Sequence, residues 1–206
     1  MFALVDKSDN SITRMLNGNK GITIGDNQYP RAIFSLWTEA ERNAINIYAV
    51  TINTSNKKNE QWYSNTNITY AFDGTNATGS YGDATAKAHA DTTWTQEQID
   101  DGDAPDGADT DTVATRGLKH NLIQTVKAQA EGELNRTDWY ITRKAEKNTA
   151  IPSAITTHRD AVRSKQAAME TAITNASDTP ALETLYTYTE QEDGSVTRPL
   201  GVIPTL

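Results

Sequence analysis

Apolar positions along this chain fall into two regimes. Over the first ninety residues they come in short bursts between Asn- and Gly-rich turns, the pattern of short strands, and the best of these cover 2–5, 22–24, 45–52 and 67–72. In the last, Ile68, Tyr70 and Phe72 alternate with Asn67, Thr69 and Ala71, the period of a half-buried strand, and Asp73-Gly74 supplies a turn. One short helix interrupts this region. Thr38 followed three residues later by Glu41 has capping-box spacing, and Ala40, Ala44 and Ile45 give an apolar edge.

The second half carries helical periods. Leu118, Leu122, Ile123, Val126 and Ala130 share one face of a helix expected over 115–134. Thr137 or Asp138 can cap a short helix carrying Trp139, Tyr140 and Ile141, which Asn148 ends. Ile151-Pro152 starts another, since proline in the first turn loses no hydrogen bond. Its apolar residues Ile155, Val162, Met169 and Ile173, spaced by seven, seven and four, make a narrow stripe over 152–175. Thr179-Pro180 repeats the start signal before a last helix over 181–186. Residues 194–206 hold two prolines and no helical period, so they read as an extended tail that needs something to lie against.

Composition thins the expected core. Leu, Ile, Val and Phe together fill 35 of 206 positions, under the roughly 20 % below which chains approach disorder. A net charge of only −8, with 25 Ala and 30 Thr, argues for a folded chain with little core per residue, a type that tends to be elongated or stabilised by partners. The charge is localised: residues 91–112 hold eight acidic and no basic side chains, and six Asp crowd 98–112 among Gly, Pro and Ala. That composition reads as an exposed linker and places a boundary there. The expected class is α+β, a small N-terminal antiparallel β region followed by helices and an extended C-terminal tail. Its divisions are a β-rich docking region over 1–90, an acidic linker over 91–112, a helical domain over 113–188 and the tail over 189–206.

Candidate chemistry is sparse. Absence of cysteine excludes disulfides, thiolate metal sites and a thiol nucleophile. Neither Asp101 nor Asp103 begins an EF-hand spacing, and His89, His120 and His158 are far apart. No nucleophile elbow, Walker A or dinucleotide fingerprint occurs. The carboxylate pairs Glu131/Glu133 and Glu190/Glu192 have no apolar surroundings to raise a pKa. We therefore expect no catalytic, cofactor-binding or metal-binding residues. The acidic balance argues against nucleic acid, and the lack of a long apolar run or signal peptide argues against a membrane and for synthesis in a cytoplasm.

What remains is contact. Arg143, Lys144, Arg159 and Arg163 are candidates for holding the Asp-rich segment or an acidic partner, which guanidinium forks do well. The four tryptophans fall one per region. Trp37 and Trp139 are expected as structural anchors, whereas Trp62 and Trp94, if exposed, would mark an interface.

Two stretches carry a family resemblance. Leu134-Asn135-Arg136-Thr137-Asp138-Trp139, Arg143-Lys144-Ala145-Glu146, Ile151-Pro152 and His158-Arg159-Asp160-Ala161-Val162-Arg163 resemble the helical region of tail-associated proteins of tailed bacteriophages, including tail-fibre-assembly proteins. Tyr29-Pro30-Arg31-Ala32-Ile33-Phe34-Ser35-Leu36-Trp37 and Ile45-Asn46-Ile47-Tyr48 are similar to virion proteins of marine phages. Together these cover about two-thirds of the chain; the Asp-rich segment and the tail lie outside. The resemblance implies a virion location, tail, baseplate or fibre proteins as partners, a homo-oligomer in a symmetric assembly, and no catalytic residue.

Overall fold

A computed structural model describes residues 1–206, and they divide into two compact units, Met1–Thr85 and Ala86–Leu206. The first contains β1 (Phe2–Asp6), β2 (Ser11–Leu16), β3 (Ile22–Ile24), β4 (Asn27–Tyr29), α1 (Ile33–Leu36), α2 (Glu39–Ala44), β5 (Ile47–Asn53), β6 (Tyr63–Ser64), β7 (Ile68–Phe72) and β8 (Ala77–Tyr81), with β9 (Thr85–Ala86) where it ends. Five strands form one sheet in the order β2-β1-β5-β8-β7. The expectation of an antiparallel region needs correction here: β1 pairs antiparallel with β2 and β5, but β5 runs parallel to β8. Parallel neighbours need a crossover, which the segment carrying β6 and β7 between them supplies, and small side chains let the two strands sit close. Val50 and Ile52 of β5 face Ala77 and Gly79 of β8, and a Cβ on Gly79 would stand 2.8 Å from Ile52 Cδ1 and Tyr70 Cε1. Small residues at 77 and 79 leave room for Val50 and Ile52 at that register.

Alternation in β1 places apolar groups on both faces of the sheet. Ala3 and Val5 join Tyr48, Phe72 and Ala77 on one side, with the Tyr48 and Phe72 rings 4.5 Å apart. On the other, Phe2 and Leu4 pack with Ile22, Ile33 and Ile47 under the β3–β4 hairpin and α1. The Thr38–Glu41 capping box forms, Glu41 Oε2 accepting from the Thr38 N–H at 2.7 Å.

The second unit comprises β10 (Thr92–Thr93), α3 (Gln96–Asp100), β11 (Val113–Thr115), α4 (Leu118–Asn135), α5 (Asp138–Lys147), α6 (Ser153–Asn175), α7 (Thr179–Tyr186), β12 (Thr189–Glu190) and β13 (Val196–Thr197). The α+β class expected above is therefore the observed one. Its helical core lies between α4 and α6, where Val126 and Ala130 are buried, as are Ile155, Val162, Met169 and Ile173. No helix is long and apolar enough to cross a membrane.

Two expected boundaries shift. The acidic stretch is not a linker between units, because β10 pairs with β11 across it and ties it into the second unit as an excursion carrying α3. Asp91 closes that excursion: its carboxylate accepts from the Gly117 N–H at 2.8 Å and from Arg116 at 2.6 Å. Gly117 is required there, since a Cβ would meet the Ala90 carbonyl carbon at 2.3 Å. The tail is not free either. After the β12–β13 hairpin, Leu200 and Ile203 are buried, and the Leu200 N–H donates to the Leu185 carbonyl of α7 at 3.0 Å.

Candidate interaction surface

The corner between α4 and α5 is built around one arginine. Arg159 projects from α6, and its Nη1 donates to the Leu134 carbonyl at 2.8 Å, to Thr137 Oγ1 at 2.7 Å and to Asp138 Oδ1 at 2.7 Å. A cation at the carbonyl end of α4 and a carboxylate in the first turn of α5 both match the helix dipoles. Thr137 is buried and its hydroxyl donates to the Leu134 carbonyl at 2.9 Å. It turns the corner instead of capping α5, for its side chain accepts no N–H from that helix. Beside the corner, Glu133 meets Arg136 at 3.0 Å, with His158 Nε2 at 3.9 Å.

Once Thr137 and Asp138 are pinned, α5 is left at the surface with no buried residue, and Asn148 ends it in the left-handed conformation at φ 50°. Trp139 is 52 % and Ile141 42 % exposed. The Arg143 guanidinium lies 4.6 Å from the Trp139 ring and 5.3 Å from that of Tyr140, within cation–π range. The two ring centroids are 3.8 Å apart. Lys144 and Lys147 complete the last turn. An apolar, aromatic and cationic surface of this kind has the composition that grips a protein partner.

The structure redistributes the residues singled out from the sequence. Arg143 and Lys144 lie on α5 at this surface. Arg159 is turned inward, because its Nη1 is held by three acceptors in its own chain and only 8 % of the residue is exposed. Arg163 is exposed and pairs with Asp160 at 3.3 Å. Trp62 is corrected from interface to interior at 2 % exposure. Trp94 is half-buried, its backbone N–H donating to the Thr112 carbonyl at 3.1 Å. Trp37 packs against the Ile33 cluster, edge-on to Tyr29 at 5.9 Å. Trp139, expected as a core anchor, is exposed because α5 has no second layer over it.

Sequence reasoning missed Tyr140 and Ile141 as surface groups, although a signal was present. Three consecutive large apolar residues on a ten-residue helix span about 200° of its circumference, too much for one core-facing stripe. No group of three or more His, Asp or Glu side chains is placed to hold a metal ion. The chain matches no family model, no curated protein and no solved structure.

Proposed function

We propose that this chain is a non-enzymatic structural component of a phage tail or baseplate, an adaptor or fibre-associated subunit that acts through protein–protein contacts. The observation that carries the reading is the unity of the motif that resembles phage tail proteins. Arg159, from the Arg159-Asp160-Ala161-Val162-Arg163 segment, holds Thr137 and Asp138, and the next residue, Trp139, is thereby turned to solvent under the Arg143 guanidinium. Trp, Tyr and Arg are the residues most enriched where binding energy concentrates. On this reading the partners are tail, baseplate or fibre proteins together with further copies of the chain. The protein is made in the bacterial host cytoplasm and ends in the virion tail.

The test is mass spectrometry of purified particles, with copy number counted against the major tail proteins, for the native chain and for Trp139→Ala. A fixed integer count per particle for the native chain, and at least tenfold fewer copies of a folded Trp139→Ala chain, is the expected result. Absence of the native chain from particles whose fibres fail to trimerise without it would replace this reading with a fibre-assembly chaperone. Absence without any fibre defect would remove both.

A further inference from the structure

The first unit carries a cleft of about 610 Å³ beside the loop after β2. Met15, Leu16, Ile22 and Phe34 contribute apolar walls, Arg14 and Lys20 add two cations, and no carboxylate lines it. An adjoining recess shares Phe34 and adds Arg31, again without a carboxylate. Arg14, Lys20 and Arg31 make no ion pair within the chain. In a protein of net charge −8, three uncompensated cations around one partly apolar recess are an unfilled place for an acidic group.

The complementary charges are on the same polypeptide. Between α3 and β11, Asp101, Asp103, Asp106 and Asp111 are exposed and make no ion pair. Between them lie Ala104, Pro105 and Ala108, small apolar groups suited to shallow apolar walls. We propose that the occupant of the cleft is the acidic loop of a second copy of this chain, so that copies join head to tail. This rests on the structural reading above, which requires a repeated subunit, and it names the contact. A head-to-tail contact uses different surfaces on the two copies, so it closes into a ring or continues as a filament according to the rotation it imposes. The link is short-ranged: two chains of net charge −8 repel at a distance, but at about 0.15 M salt the screening length is about 8 Å, which mutes that repulsion more than pairs in contact.

The experiment is sedimentation velocity on the full chain at about 0.15 M and about 1 M salt, with two sets of charge reversals at exposed positions. The cleft variant is Arg14→Glu with Lys20→Glu, and the loop variant is Asp101→Lys, Asp103→Lys and Asp106→Lys, each checked for native ellipticity. Native chain should associate at the lower salt and at least about tenfold more weakly at the higher. Each variant alone should be monomeric. Mixed together they should associate again, because the intact cleft of one variant meets the intact loop of the other and the reversed cleft carries the charge complementary to the reversed loop. A native chain that stays monomeric at both salts overturns the proposal, as does a mixture that fails to pair. If such a monomeric chain is still present in particles at a fixed count, the structural reading survives and only this contact is lost.

Discussion

Replacing Arg159 by Met removes the polar clamp at the α4–α5 corner while keeping most of the side-chain stem. Nη1 carries two hydrogens and serves three oxygens, so one of its bonds is shared. After the change the Leu134 carbonyl still accepts from the Thr137 N–H at 3.0 Å and from its hydroxyl at 2.9 Å. The buried Thr137 oxygen loses its donor. A hydrogen bond from a charged group contributes about 1.5–3 kcal/mol. The Asp138 side chain is 52 % exposed, so its pair adds at most about 1 kcal/mol. Against this, Met no longer holds a guanidinium out of water, and the buried Arg159 Nε has no hydrogen-bond partner to lose. The net expectation is a loss of about 2 kcal/mol. Urea unfolding followed by helical ellipticity reads mainly the second unit, which holds the long helices. With a slope of about 2 kcal/mol/M the midpoint should fall by about 1 M. Arg163→Met, which removes only an exposed pair with Asp160, should stay within about 0.5 kcal/mol of the native chain. Equal midpoints for Arg159→Met and Arg163→Met would refute the clamp.

Three further outcomes are expected. Gly79→Ala should destabilise the first unit by about 1–3 kcal/mol through overpacking, since the new Cβ would meet Ile52, Tyr70 and Ile68 within 2.9 Å; a higher melting temperature would contradict the packing. Hydrogen bonds from the Gly117 N–H and Arg116 hold the Asp91 carboxyl below its ordinary 3.8. Because that folded value is depressed, its stabilisation is present above 3.8 and is lost as pH falls through the lowered value. The stability gap between native chain and Asp91→Asn should thus be constant near neutrality and vanish in acid, and a gap that persists at low pH would refute the assignment. Deleting residues 194–206 removes two buried side chains, Leu200 and Ile203, and should lower second-unit stability by about 3–5 kcal/mol. An unchanged melting curve would refute the packing of Leu200 and Ile203 against the second unit.

The helices were largely legible because their signals are local. Ile155, Val162, Met169 and Ile173 are all buried on α6, Asn148 does end α5, and Thr38 does cap α2. Start positions drifted: Asp178, not Thr179, caps α7, its carboxylate accepting from the Ala181 N–H at 2.8 Å, while Thr179 is already the first residue of the helix and its hydroxyl donates to the Lys87 carbonyl at 2.6 Å. Strand β8 was missed for a different reason. Ala77-Thr78-Gly79-Ser80-Tyr81 has little strand propensity of its own, and what selects it is the bulk of Ile52 and Tyr70 on its neighbours. The fate of Arg159 was equally invisible, for its acceptors lie 21 to 25 residues earlier in the chain. Trp139 and Trp62 exchanged expected roles because burial of a lone aromatic depends on whether a second layer covers its element.

The first strand is an interior strand. Its β2 edge can zip within moments of synthesis, but the other edge waits for Ile47–Ala49, which begin about thirty residues after β2 ends. At about 5–20 residues per second the ribosome takes about 1.5–6 s to reach them. Throughout that interval the hairpin shows a bare row of amide and carbonyl groups, a template any neighbouring nascent chain can extend. Ribosomes following one another along a message expose the same row together, so slower elongation through 17–46 should cost yield of native sheet.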